Sequence, residues 1–178
     1  YQLLHFSGHG IYNPSIPAQS CLFLSGADRF TLIDIVQQDL RHFDLVTLAA
    51  CETAITGSET ITDEYIGLVS AFLSAGARCV LSTLWRVESE ASMVLVVEFY
   101  RNLGQGMTPA AALRQAQSFL AHANRQTLKS WLSEALELVT SSSMKRLLRQ
   151  RQKDIESSEL DQPFSHPYFW APFALTGL

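Results

Sequence analysis

The stretch "LLHFSGHG" (3–10) is an apolar and aromatic run that breaks off at a Gly-His-Gly step. Forty-two residues beyond His9, the run "LVTLAACETA" (45–54) breaks off in the same way at Cys51. Runs that are apolar on both faces suit strands covered by helices on either side, the signature of a parallel sheet. "YQLLHFS" (1–7), "FDLVTLAAC" (43–51) and "ARCVLSTLW" (77–85) read as buried strands of that kind, with "APFALTGL" (171–178) a weaker fourth. "SCLFLSGADRFTL" (20–32) reads as a short hairpin turning at Gly26-Ala27-Asp28.

Helical patterns fill the gaps. "TLIDIVQQDL" (31–40) opens with Thr31 and carries Asp34 three residues later, close to a capping box. "TDEYIGLVSAFLSAG" (62–76) begins with polar residues and closes on Gly76, and "SEASMVLVVEFYRNLGQG" (89–106) offers Ser89 as a cap and Gly104 as a stop. "TPAAALRQAQSFLAHAN" (108–124) places Pro109 just inside a Thr cap. Strand alternating with helix is an α/β order. Residues 125–162 depart from it: two amphipathic helices with a polar "TSSS" break read as a helical insertion before the last strand, either a solvated excursion or a partner-binding or regulatory element.

The 178 residues suffice for one domain with a core. A net charge of -4 gives no clustered positive field overall, so no nucleic-acid partner is expected. No apolar run reaches the roughly 18 to 20 residues of a membrane helix. Three cysteines at 21, 51 and 79 form neither a disulfide framework nor a zinc pattern, which favours a reducing, cytoplasmic setting. A first residue of Tyr1 inside an apolar run makes the chain read as the C-terminal part of a longer protein.

In a parallel sheet, reacting groups collect where strands end at their carboxyl edge. If the strands before His9 and Cys51 are neighbours, both side chains lie at that edge. The thiolate is the nucleophile, and an imidazole can take the thiol proton or stabilise the thiolate. Glycines beside His9 let backbone approach a substrate and offer an N–H to a developing oxyanion. Set against this, a strand-end cysteine is commonly a small buried hydrophobe. His5, four residues before His9, reads as a hydrogen-bonded core histidine rather than a metal ligand.

"HFSGHG", "DLVTLAACETA", "GLVSAFLSAGARCVLSTLWRVESEAS", "FYRNLGQGMTPAAALRQAQ" and "HPYFWAPFALTG", in that order, together resemble a CHAT domain. This is a caspase-like, separase-related family of clan CD cysteine peptidases, often joined to tetratricopeptide repeats. The resemblance covers nearly the whole chain apart from 125–162. It implies a caspase-like three-layer sandwich with a mostly parallel sheet flanked by helices, whose N-terminal strands are absent from this chain. It implies a cysteine endopeptidase with a His9/Cys51 dyad and an oxyanion hole from the Gly10 and Cys51 amides. No metal and no cofactor are implied, and the partners are a protein or peptide substrate and a regulatory domain. Ala54 stands where family members often carry Gly.

The resemblance further suggests a basic P1 residue, held by an acidic group in "TLWRVESEAS". Glu88 and Glu90 are the candidates, with Asp63 and Trp85 as further pocket residues; Glu88 is equally a helix-start residue favoured by the dipole, and Glu90 reads more readily as one. Arg86 could pair with either glutamate. Asp63 and Glu64 read more simply as helix caps, Cys21 and Cys79 as packing residues, and His166 as a loop residue. The competing reading is a catalytically silent caspase-like module that binds a partner peptide; an acyl transferase using the same thiolate is a third.

Overall fold

A computed structural model describes residues 2–11, 13, 16–50, 61–85 and 88–177, with only the backbone described at 50 and 61–66. The chain forms two compact units, Tyr1–Val87 with Pro172–Leu178, and Glu88–Ala171.

The first unit holds β1 (Leu3–Gly8), β2 (Gly10–Ile11), β3 (Cys21–Phe23), β4 (Arg29–Thr31), α1 (Leu32–Val36), β5 (Leu45–Ala50), α2 (Ile61–Ser74), β6 (Cys79–Thr83) and β7 (Phe173–Gly177). Four strands make one sheet in the order β1-β5-β6-β7. The pairs β1–β5 and β5–β6 are parallel, while β6–β7 is antiparallel. The expected α/β class with a mostly parallel sheet is therefore present, and the weaker fourth strand supplies its one antiparallel pairing.

Alternation along each strand decides which residues enter the core. Val46, Leu48 and Val80 face Ile35 and Leu40 on the α1 side and Leu68, Val69 and Phe72 of α2, with Leu4 and Phe6 packed against the same cluster. Leu45, Thr47, Cys79 and Leu81, on the alternate positions of β5 and β6, are buried too. The first strand differs from the sequence expectation. β1 lies at the sheet's edge, and its alternate residues Leu3, His5 and Ser7 are exposed. His5 is exposed on this strand rather than buried as expected.

α2 ends in a Schellman arrangement: the amide of Gly76 donates to Leu73 and that of Ala77 to Phe72. Gly76 has φ +103, and a Cβ there would sit 2.5 Å from Arg41 Cγ, so glycine is required twice over. A second, antiparallel sheet has the order β2-β3-β4, its β3–β4 hairpin turning through Gly26 at φ +75 as the sequence suggests. Thr31 and Asp34 form a complete capping box on α1, which stops at Val36 rather than continuing to residue 40.

The second unit holds α3 (Ser89–Gly104), α4 (Pro109–His122), α5 (Arg125–Leu138) and α6 (Ser142–Glu156). Thr108 caps α4 with Pro109 at its first position, and Asn124 and Ser141 cap α5 and α6. Ser89 is the first residue of α3, not its cap; Glu88 holds the cap position. Gly104 stays inside α3, and the left-handed residue after it is Gly106 at φ +87. The two expected helices are separated at 139–141, so the "TSSS" stretch (140–143) is only partly a break, with Ser142 and Ser143 already in α6. α5 and α6 bury Leu128 and Leu132, Leu148 and Ile155, and Gln152 Nε2 donates to Ser133 Oγ at 2.9 Å between the two helices. No helix among the described residues is long and apolar enough to cross a membrane.

Candidate functional site at the carboxyl edge of the parallel sheet

β1 and β5 run in parallel register from Leu3↔Leu45 to Gly8↔Ala50, so every partner pair is separated by 42 positions. β5 and β6 pair as Val46↔Val80 and Thr47↔Leu81, a separation of 34. His9 is the residue after β1, and Trp85 stands two past the end of β6. Cys51 follows β5 in sequence and lies outside the described residues, as do Ala54 and Arg86. In sequence, His9 and Cys51 are 42 apart and Cys51 and Trp85 are 34 apart, the same two separations.

The backbone at His9 is fixed by the second sheet. The Phe23 amide donates to the His9 carbonyl at 2.8 Å, and Gly10 pairs with Leu22. Peptide groups alternate sides along an antiparallel pair, so a bond at His9 and a partnered position at Gly10 turn the Gly10 amide away from β3. The His9 side chain is exposed and Gly10 is buried. Neither flanking glycine has a left-handed φ. Gly8 instead serves close approach: a Cβ there would come within 2.9 Å of Phe6 Cζ. The glycine turn expected here is thus a near-continuous passage from one sheet into another.

The specificity candidates occupy unlike surroundings. Trp85 is half-buried just past β6, whose following residue Leu84 donates its amide to Pro172 at 2.9 Å. Asp63 lies in the first turn of α2, and its side chain, like that of Glu64, is outside the described residues. Glu88 is exposed at the α3 cap and makes no capping bond with its side chain. Glu90, two residues further in the first turn of α3, is mostly buried and accepts from the Arg151 guanidinium of α6. Burial raises its pKa, the Arg151 charge opposes that rise, and the Glu88 and Asp154 charges add to it.

Cys21 and Cys79 are buried, and burial pushes the Cys79 thiol up to about 11. Both serve packing, as expected. His166 caps a short 3-10 turn at Pro167–Phe169, its Nδ1 accepting from the Tyr168 amide at 3.2 Å. Sequence reasoning passed over a buried acid: Glu98 accepts from Trp131 Nε1 at 2.5 Å and pairs with Arg101 at 2.9 Å. The signal was available, since Glu98 falls on the same helical stripe as Ala91, Val94 and Leu95.

The CHAT domain family matches residues 1–178. Tetratricopeptide repeat protein 28 of Homo sapiens is 32% identical over 133 residues, 75% of this chain. Its Mus musculus counterpart is 31% identical over 140 residues, 78% of this chain. The matched region is only 4% of either relative's length. With the family matched from the first residue to the last and a mostly parallel α/β sheet in place, the chain belongs to the CHAT domain family, a caspase-like family.

Proposed function

We propose that this chain is the catalytic part of a cysteine endopeptidase in which His9 and Cys51 act as a dyad. The observation that carries the reading is the register: the 42-residue separation of His9 and Cys51 is that of all six partner pairs on β1 and β5. Neighbouring strands lie about 4.8 Å apart, a spacing over which an imidazole and a thiol can share a proton.

In this mechanism His9 accepts the Cys51 proton and the thiolate attacks the scissile carbonyl carbon. The oxygen that becomes negative is received by the Gly10 amide, which β3 leaves unused, and by the Cys51 amide. His9 returns the proton to the leaving amine, giving a thioester. Water, deprotonated by His9, then releases the acid and restores the thiol. The scheme uses no metal and no cofactor.

A basic P1 side chain is the proposed preference, with Glu88 as its carboxylate and Trp85 as a pocket wall. Glu90 is the weaker candidate because Arg151 already occupies it. Asp63 remains a candidate from sequence alone. The relatives' tetratricopeptide repeat name supports such repeats as the regulatory partner, and the cysteine usage supports a cytoplasmic setting.

The test is hydrolysis of fluorogenic peptides with varied P1 by the full-length protein, beside Cys51→Ala and His9→Ala. Cleavage after arginine that both variants abolish is the expected result. Preference for an acidic or apolar P1 overturns the pocket assignment alone. Absence of cleavage at every P1 contradicts the peptidase and favours a silent peptide-binding module. Capture of the acyl group by an added amine rather than water identifies an acyl transferase.

A further inference from the structure

A concavity of about 350 Å3 lies in the second unit among α3, α4 and α5, a volume within the range of small-molecule sites. Ser130, Trp131 and Glu134, spaced three and four apart, give it one face of α5. Arg101 of α3 and Phe119 of α4 stand across from them, with Gln126 at the start of α5.

Two of these walls are fixed by one buried acid. Glu98, 7% exposed, accepts from Trp131 Nε1 and holds Arg101 Nη1 at 2.9 Å. A guanidinium carries its N–H donors in a rigid fork, so pinning Nη1 sets the others in place. Nη2 and Nε of Arg101 have no hydrogen-bonding partner among the described residues. Glu134 lies 3.7 Å from the same Nη1, beyond hydrogen-bond reach, and its side chain is 65% exposed. The concavity thus sets a pinned cation with spare donors beside a loosely held carboxylate, against Phe119 and Trp131. Ser130 and Gln126, whose side chains bond to none of the described residues, add neutral partners.

A ligand bearing a single charge is repelled by one member of the Arg101–Glu134 pair. A zwitterion satisfies both. An α-amino acid carries its carboxylate and its ammonium on one carbon, a spacing that suits two protein charges in close pairing. Its carboxylate can take the Arg101 fork, a strong charge-assisted contact, and its ammonium can donate to Glu134. An apolar side chain then covers Phe119 and the open edge of Trp131. We infer that this concavity binds a free apolar α-amino acid. The inference stands independently of the peptidase reading.

Titration of the full-length protein, followed by NMR of the Trp131 indole N–H, tests it. The probe is L-phenylalanine. N-acetyl-L-phenylalanine, which lacks the ammonium, and L-phenylalaninamide, which lacks the carboxylate, serve as comparators. L-phenylalanine is expected to shift the resonance saturably with a Kd at or below about 1 mM. Each comparator is expected to bind about tenfold more weakly, one charged contact having been lost. Glu134→Gln, at an exposed position, is expected to weaken L-phenylalanine to the level of its N-acetyl derivative. Arg101→Lys, which keeps a cation for Glu98 and is checked by its melting temperature, is expected to weaken it to the level of the amide. No saturable shift by L-phenylalanine, a comparator that binds as tightly, or an unchanged Kd in Glu134→Gln overturns the inference.

Discussion

Gly8 and Ala50 are the last of six register partners along β1 and β5, so the two strands leave the sheet level with each other. Gly8 is also where the Phe6 ring folds back over the strand end, leaving no room for a side chain. Gly8→Ala should cost about 1–3 kcal/mol as the ring is forced aside, read from urea unfolding. Trimming the ring in Phe6→Leu/Gly8→Ala should recover part of that loss as a coupling between the two sites. Purely additive costs would show that the contact is not the constraint.

Glu90 makes stability pH-dependent with a defined sign. Its pKa is raised in the folded protein, by burial above all. A carboxyl that holds its proton more tightly when folded costs stability as pH climbs from the ordinary glutamate range through the raised value. Glu90→Gln removes that cost and leaves Arg151 charged throughout. The stability of Glu90→Gln relative to wild type should therefore rise between acid and neutral pH in paired urea titrations. A difference that stays constant would contradict the account.

The buried Glu98 depends on two donors from different helices, Trp131 Nε1 and Arg101. Trp131→Phe keeps an aromatic side chain but loses the pyrrole ring with its donor, leaving a buried acceptor one bond short. A loss of about 1–3 kcal/mol in urea unfolding is expected. A loss below about 0.5 kcal/mol would mean that Arg101 satisfies the carboxylate alone.

The thiols separate by environment. With its thiol near 11, Cys79 is thiolate in about one molecule per thousand at pH 8. Iodoacetamide on the native protein should leave Cys79 unmodified and label it only after unfolding in urea, as peptide mass mapping reads. Native labelling of Cys79 would contradict its burial.

Much of the fold is legible in the sequence where local chemistry decides it. Thr31 with Asp34, Thr108 before Pro109, and Gly76 each mark a helix end through bonds made within a few residues. The features that were missed depend on partners distant in sequence. β1 is apolar enough to read as buried, yet its alternate residues Leu3 and His5 are exposed, because burial of a strand face depends on what packs over it and not on the run itself. Ser89 reads as a cap because serine favours that position, yet the backbone places Glu88 there. The occupation of Glu90 depends on an arginine 61 positions away. Within the site, His9 and its paired strand were foreseeable from two apolar runs that each stop on a reactive residue. The direction of the Gly10 amide was not, because it follows from the pairing of β2 with β3.

The most direct test of the dyad is labelling of the full-length protein with a peptide acyloxymethyl ketone carrying P1 arginine, with the adduct located by mass spectrometry. The account predicts an adduct on Cys51 and on neither Cys21 nor Cys79, lost in His9→Ala. Labelling of Cys51 at the same rate in wild type and His9→Ala would contradict it, because the thiolate would then owe nothing to His9.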